Sequence, residues 1–373
     1  LPEVYKALGM KVSQSNLCSE IALHTGLDYE GKERTAVCCL SSLNMERADD
    51  WYGNRQFIKD VLYFLDGVMD DFIRRTGGMK GFENARYSAF MERSVGLGYM
   101  GFHSYLQSKG IPFESAVASG QNRRITSWVK QTGDEINRGD AVEELGMNPD
   151  SDEVVTRGVE GFQPVRWSNW SSVAPTASIS IIAGTTSPGC DAIPANIYAQ
   201  KTLSGTFMVR NRHLDALLRG RWDQLATHRG LCTPQGQWVD EAWLSITANK
   251  GSVQHLPDLT QGEKDVFKTA FELDQAWVID HAAARAPNIC QMASNNISLR
   301  PDVDKATLLK LHVSAWRKGV PSLYYCRSQS LARAESVSHM AGEMPQATAK
   351  HDVVIQDRGE KIEIGGEECL ACQ

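Results

Sequence analysis

Asn16, Cys18 and Glu20 stand at alternate positions of the segment Asn16-Leu17-Cys18-Ser19-Glu20. In an extended chain, residues i, i+2 and i+4 project to one side. The spacing therefore predicts a face carrying an amide, a redox-capable thiol and a carboxylate. Such a set suits radical chemistry on a vicinal diol. The sulfur removes a hydrogen atom, the carboxylate takes a hydroxyl proton, and the amide holds the hydroxyls. Taken alone, the segment reads as a buried structural cysteine between polar surface residues; the other segments decide the matter.

Four further constellations carry chemistry. Cys38-Cys39 follows Arg34-Thr35-Ala36-Val37. On a strand, adjacent side chains point to opposite faces, so only one of the two can share a pocket with Cys18. By themselves they read as two small buried hydrophobes. Pro175-Thr176-Ala177-Ser178-Ile179-Ser180 places hydroxyl residues at a turn, where they and backbone N–H groups can cradle phosphate oxygens. Gly184-Thr185-Thr186-Ser187-Pro188-Gly189 follows as a second loop of small residues, and neither a P-loop nor a dinucleotide fingerprint occurs. Tyr324-Tyr325 reads as a stacked pair able to relay an oxidising equivalent by coupled electron and proton transfer, or simply as one buried and one exposed ring. Cys369 and Cys372 form a CxxC pair in the last five residues. That spacing lowers a thiol pKa and favours disulfide exchange. A zinc site would need two more suitably spaced ligands, which only Cys38-Cys39 could supply. A flexible chain of the ~44 residues from Tyr325 to Cys369 spans roughly 35–40 Å, enough to swing the pair between an interior pocket and an external reductant.

The elements that must position these groups are partly legible. Ile58, Val61, Leu62, Leu65, Val68, Met69 and Phe72 follow helical spacing, ended by Gly77-Gly78. Residues 92–109 predict a second helix ended by Gly110. Thr260 and Glu263 form a capping-box pair ahead of the apolar positions Val266 to Trp277. Residues 302–318 predict another helix, with Gly319 just past its end. Residues 35–40 and 179–183 have the length and bulk of buried strands. Residues 134–161 read as a polar, acidic excursion between core elements. Helices alternating with short apolar strands argue for an α/β architecture with parallel strands. Beyond residue 330 the helical periodicity stops. This predicts one main domain over 1–330 and a flexible tail over 331–373.

Composition narrows the classes. At 373 residues and 42% hydrophobic, the chain can bury a large core. A net charge of −6 gives no electrostatic footprint for nucleic acid. No apolar run reaches membrane-spanning length, and no signal-peptide pattern opens the chain. Nine cysteines in a chain of this size fit a cytoplasmic protein with reduced thiols and catalytic rather than structural disulfides. The start at Leu1 suggests a fragment, a processing product or a split-gene product.

Together these segments resemble the catalytic large subunit of class I ribonucleotide reductases, along nearly the whole chain. The match runs through Ser15-Asn-Leu-Cys-Ser-Glu-Ile21, Ala36-Val-Cys-Cys-Leu-Ser-Ser-Leu-Asn44 and Ala174-Pro-Thr-Ala-Ser-Ile-Ser-Ile-Ile-Ala-Gly-Thr185. It continues through Ala199-Gln-Lys-Thr-Leu-Ser-Gly205, Tyr324-Tyr325 and Glu368-Cys-Leu-Ala-Cys-Gln373. The resemblance implies the second half of a ten-stranded α/β barrel, with the radical cysteine on a loop inside it. It implies reduction of ribonucleoside diphosphates to deoxyribonucleoside diphosphates. Cys18 would be the thiyl that abstracts the ribose 3′-hydrogen, Glu20 the base on the 3′-hydroxyl, and Asn16 the amide on the sugar hydroxyls. Cys38 would be one of the two reducing thiols, with Cys39 as the alternative if the register slips by one. Ser15 would adjoin the sugar site, Thr176, Ala177, Ser178 and Ile179 would line the diphosphate site, and Ser180 would lie nearby. Tyr324 and Tyr325 would carry the radical from a separate metal-containing small subunit, with no metal or cofactor bound by this chain. Cys369 and Cys372 would re-reduce the pocket disulfide and pass the oxidation to thioredoxin or glutaredoxin. The upstream half, with the specificity site and the partner of Cys38, would be a further partner in an oligomeric assembly.

Two other readings stand beside this one. A class II, cobalamin-dependent reductase shares the Asn/Cys/Glu logic but has no use for a tyrosine relay between subunits. A non-catalytic thiol-rich module, stabilised by zinc, predicts stoichiometric metal and no effect of Cys18→Ser on any reductase activity.

Overall fold

The computed structural model describes residues 1–202 and 205–328. The expected tail, residues 331–373 with Cys369 and Cys372, lies outside the described residues. Among the described residues, eight short strands are interspersed with helices. β1 (Gly26–Leu27) and β2 (Glu33–Arg34) form a small antiparallel pair. β3 (Cys39–Asn44) and β4 (Val95–Met100) pair in parallel, from Cys39 opposite Val95 to Asn44 opposite Met100. The parallel order continues through bridges from Leu97 to Ser171 and from Val173 to Ala293. β5 (Ile197–Thr202) and β6 (Gly205–Arg210) make a hairpin; β7 (Ile297–Leu299) and β8 (Cys326–Ser328) are again parallel. The α/β expectation therefore holds: parallel strands joined by helical crossovers.

The crossover between β3 and β4 includes the Arg55–Arg75 helix, which the apolar spacing anticipated. Asn54 caps it through the Phe57 N–H, and Ile58, Leu62, Leu65 and Met69 are buried on one face. The expected helix over 92–109 is instead β4 followed by the Phe102–Ser108 helix. The glycines explain the difference. Val95, Leu97 and Tyr99 face the apolar core with strand period, while Gly96 and Gly98 face neighbouring chain. A Cβ on Gly98 would lie 2.3 Å from the Ser172 carbonyl oxygen, and one on Gly96 would lie 2.4 Å from Leu40. Only glycine permits that approach.

Three other boundaries differ from expectation. The strand anticipated over 35–40 begins at Cys39 and runs to Asn44, because its pairing partner is β4; the Thr35 N–H bonds the Ser88 hydroxyl instead. The run at 179–183 belongs to the Ala177–Ile182 helix, with Ile182 87% exposed. So short an apolar run does not distinguish strand from helix by pattern. The Thr260–Glu263 capping box forms, but its helix is only Gln261–Val266. The apolar pattern then passes through a turn into a second helix, Gln275–Arg285, capped by Asp274. The helix expected over 302–318 is Lys305–Arg317, capped by Asp304.

Residues 134–161 are not an excursion. Asp134 lies in the Ala116–Arg138 helix and accepts from the Trp170 indole; the helices Asp140–Leu145 and Pro149–Thr156 follow. Asp150 receives two hydrogen bonds of 2.8 Å from the Arg34 guanidinium, whose Nε bonds Asp28 at 2.8 Å. All three side chains are fully buried. Removing the shared cation leaves two carboxylates uncompensated in the interior. Arg34→Met is expected to destabilise the fold by about 3–5 kcal/mol, read as a lowered urea midpoint. A loss below about 1 kcal/mol would mean that water reaches the site and takes over the arginine's role.

A second buried group makes stability depend on pH. Tyr5 donates a short hydrogen bond to Glu92 Oε2, Ser94 Oγ lies 3.4 Å from the same oxygen, and Oε1 has no partner among the described residues. Burial pushes the Glu92 carboxyl up to about 7. Between the ordinary carboxyl value and 7, the unfolded chain releases this proton and the native state keeps it. Its contribution is therefore present below 4.5 and lost as pH rises to 7. The full swing is on the order of 3 kcal/mol. Buried His103 and His281, held down to about 3 and about 4 by desolvation, act in the opposite sense over part of that window. The difference between native and Glu92→Gln unfolding curves isolates the carboxyl. That difference is expected to change steadily from pH 4.5 to 7; parallel curves would place the Glu92 proton in the ordinary range.

Candidate active site

The Asn16–Glu20 segment is a turn, not an extended strand. The Ser19 N–H bonds the Asn16 carbonyl at 3.1 Å, and Ser19 has φ +61°. Asn16 Oδ1 accepts from the N–H groups of Glu20 and Ile21, both at 3.1 Å. The asparagine thus closes the turn with its own side chain, a local bond that competes with strand geometry. As a result Asn16 and Ser15 are exposed, while Cys18 and Glu20 are buried at 8% and 3% exposure. The alternation expected of one common face is replaced by an inward pair and an outward amide.

Neighbouring chain pins the inward pair. The Glu20 carbonyl accepts from Ser172 Oγ at 2.8 Å and from the Met292 N–H at 3.1 Å. Ser294 Oγ lies 2.5 Å from the Cys18 carbonyl and 3.3 Å from Glu20 Oε2. Cys18 Sγ is 3.5 Å from Tyr324 Oη. The rings of Tyr324 and Tyr325 are 3.9 Å apart and inclined by 34°. Tyr325 is 39% exposed, so the aromatic pair leads from the surface to the buried sulfur.

The two adjacent cysteines have different surroundings. Cys39 opens β3 and packs against the main apolar core. Cys38 Sγ receives Gln291 Nε2 at 3.5 Å, and Gln291 Oε1 accepts from the Ala22 N–H just beyond the turn. Burial pushes the Cys38 thiol up to about 12, against the lowering effect of the Gln291 hydrogen bond. It carries its proton at neutral pH.

A cleft of about 360 Å³, of small-molecule size, opens beside these groups. Thr176, Ala177, Ser180, Asp191, Ser294 and Asn296 are among its walls. Thr176 Oγ1 accepts from the Gly189 N–H at 2.7 Å, tying the two small-residue loops together. Ser178 and Ile179 are exposed and do not line the cleft. Ser294 joins the cleft to the Cys18–Glu20 turn. Gln291, Ser294, Asn295 and Asn296 were not singled out by sequence reasoning. The consecutive polar residues Ser294-Asn295-Asn296, between Met292-Ala293 and Ile297, were the available signal. Among the described residues, no group of three His, Cys, Asp or Glu side chains is placed to hold a metal ion. No described helix is long and apolar enough to cross a membrane.

A parallel α/β sheet enclosing a cysteine turn defines a class, and comparison with known proteins bears this out. Residues 4–135 and 148–326 match the model of the ribonucleotide reductase barrel domain, and the chain belongs to that family. It is 41% identical over 340 residues to the ribonucleoside-diphosphate reductase large subunit of Invertebrate iridescent virus 6, covering 90% of this chain and 32% of the relative. It is 39% identical to that of Invertebrate iridescent virus 3, covering 91% and 49%. Among solved structures it resembles the class Id ribonucleotide reductase alpha subunit of Actinobacillus ureae. The TM-score is 0.74 and the identity 33%, over 90% of this chain and 56% of that one. The chain thus spans about half or less of the length of these relatives.

Proposed function

We propose that this chain is the radical-bearing part of a ribonucleoside-diphosphate reductase large subunit, reducing ribonucleoside diphosphates for DNA precursor synthesis in the cytoplasm. The observation that carries the reading is the line of contact from Tyr325 through Tyr324 to Cys18, ending beside the Glu20 carboxylate. A metal-containing small subunit supplies the oxidising equivalent at the tyrosine pair. Tyr324, oxidised to its phenoxyl radical, takes the Cys18 hydrogen atom, one electron and one proton together, leaving a phenol and a thiyl radical. The thiyl takes the ribose 3′-hydrogen and Glu20 accepts the 3′-hydroxyl proton. The 2′-hydroxyl leaves as water, with a proton from Cys38, whose thiol is neutral at physiological pH. Cys38 and a second thiol supply two electrons and finish as a disulfide, the second thiol's hydrogen goes to C2′, Glu20 returns its proton to the 3′-oxygen, and Cys18 returns its hydrogen to C3′. Cys38 rather than Cys39 takes this role because it faces Gln291 and the turn, whereas Cys39 faces the core.

Asn16, with its oxygen committed to the turn, holds the sugar hydroxyls through its amide nitrogen, with Ser15 adjoining. Thr176, Ala177 and Ser180 hold the diphosphate from the cleft wall. Ser178 and Ile179 contribute backbone N–H groups from the first helical turn, which have no partners within the helix. Cys369 and Cys372, on the tail after the 1–330 domain, pass the disulfide to thioredoxin or glutaredoxin. The second reducing thiol and the rest of the barrel come from a complementary part of the large subunit, in an oligomeric assembly.

The test is cytidine diphosphate reduction with a class I small subunit, thioredoxin and the complementary part of the large subunit. Deoxycytidine diphosphate is expected only from the complete mixture. No product from a mixture whose parts are shown to be folded and associated would refute the reading.

A further inference from the structure

Both tyrosines of the aromatic pair are fixed by backbone N–H bonds, but by different means. The Tyr324 N–H bonds the Asn295 backbone carbonyl at 2.8 Å, and the Tyr325 carbonyl accepts the Ile297 N–H at 2.8 Å. The Tyr325 N–H instead bonds a side chain, Asn296 Oδ1, at 3.2 Å. The other end of that amide, Nδ2, donates to Asp191 Oδ2. Asp191 and Asn296 both line the cleft. Arg327, also on the cleft wall, lies 5.6 Å from the Tyr325 ring centroid. One amide is thus stretched between a carboxyl on the cleft wall and the backbone of the surface-exposed tyrosine.

We propose that Asp191 and Asn296 are positioning residues that couple occupancy of the cleft to the placement of Tyr325. The inference rests on the reading of Tyr324 and Tyr325 as the radical route and adds to it a device that aligns that route when a nucleoside diphosphate is bound. A ligand that fills the cleft holds the Asp191–Asn296 pair in register, and the amide carries the Tyr325 backbone with it. Because stacked rings exchange electrons and protons over short distances, a small displacement of Tyr325 slows the transfer while leaving substrate affinity intact. A misplacement on the 1 Å scale costs up to about a hundredfold in rate.

The test uses the assembled reductase and four variants: Asn296→Ala, Asp191→Ala, the double substitution and Asp191→Asn. Each alanine variant is expected to lower kcat for cytidine diphosphate reduction about ten- to a hundredfold. KM and equilibrium binding of cytidine diphosphate stay within about twofold, because the lost interaction acts on the radical route. The double variant is expected to be no slower than the slower single one, since both break the same link. Asp191→Asn, which keeps an acceptor for the Asn296 amide, restores most of the Asp191→Ala loss. Unchanged kcat in Asn296→Ala overturns the proposal, as does a rise in KM at constant kcat, which would make these residues plain substrate contacts. Multiplicative losses in the double variant also overturn it. Tyr325→Phe is the control for the underlying reading. If that variant keeps full activity, the radical route itself is wrong; if it is inactive while Asn296→Ala is unaffected, only the coupling fails.

Discussion

Replacing Cys18 by serine is expected to abolish cytidine diphosphate reduction in the assembled enzyme, by at least about four orders of magnitude, or ~5 kcal/mol in the barrier. The argument is chemical before it is structural. The O–H bond of serine is much stronger than the S–H bond of cysteine, so the oxidised tyrosine cannot draw a hydrogen atom from it. The neighbouring thiols are engaged elsewhere: Cys38 bonds Gln291, and Cys39 packs against the core. The substitution changes little else. Serine is slightly smaller, the site is almost closed at 8% exposure, and the turn is held by Asn16, Ser172 and Ser294 rather than by the thiol. Stability should therefore change by less than about 1 kcal/mol. Loss of turnover with an unchanged unfolding midpoint and unchanged substrate binding assigns the effect to chemistry. Activity within tenfold of the native enzyme would remove Cys18 from the reaction.

Tyr324→Phe is expected to lower turnover by at least about a thousandfold, ~4 kcal/mol in the barrier. The phenol oxygen is the atom that lies 3.5 Å from Cys18 Sγ. Phenylalanine keeps the ring, and with it the 3.9 Å stacking on Tyr325, but loses the oxygen that must carry the proton while the electron moves. The backbone bond from residue 324 to the Asn295 carbonyl is indifferent to the change. Equilibrium binding of cytidine diphosphate should thus stay within about twofold, and only kcat should fall. A variant with native kcat would show that Cys18 is oxidised by another route. A variant with raised KM and native kcat would place the phenol on the substrate instead.

What could be read from residue types and short spacings was the chemistry and much of the helical framework. Helical periodicity and a cap are local properties, so the Arg55–Arg75 and Lys305–Arg317 helices and the Thr260–Glu263 capping box followed from a few neighbouring positions. The Cys18 segment, the tyrosine pair and the family resemblance were equally local. Strand boundaries were not. β4 exists because Gly96 and Gly98 admit Leu40 and Ser172, residues far away in the chain, and β3 starts at Cys39 because β4 sets its register. Asp150 looked like part of a solvated acidic loop, yet it lies fully buried against Arg34, more than a hundred positions upstream. The same limit applied within the candidate site. Which of Cys38 and Cys39 faces Gln291 depends on how β3 docks on the core. Ser294 and Asn296 acquire meaning only when folding brings residues 291–298 against the turn, the cleft and the tyrosines. Even the Asn16 segment is a turn where its spacing predicts an extended chain, because period-two spacing does not reveal that the asparagine oxygen accepts from its own backbone. Local sequence encodes which groups are available and which segments coil. Desolvation and close packing between distant segments decide which of those groups meet.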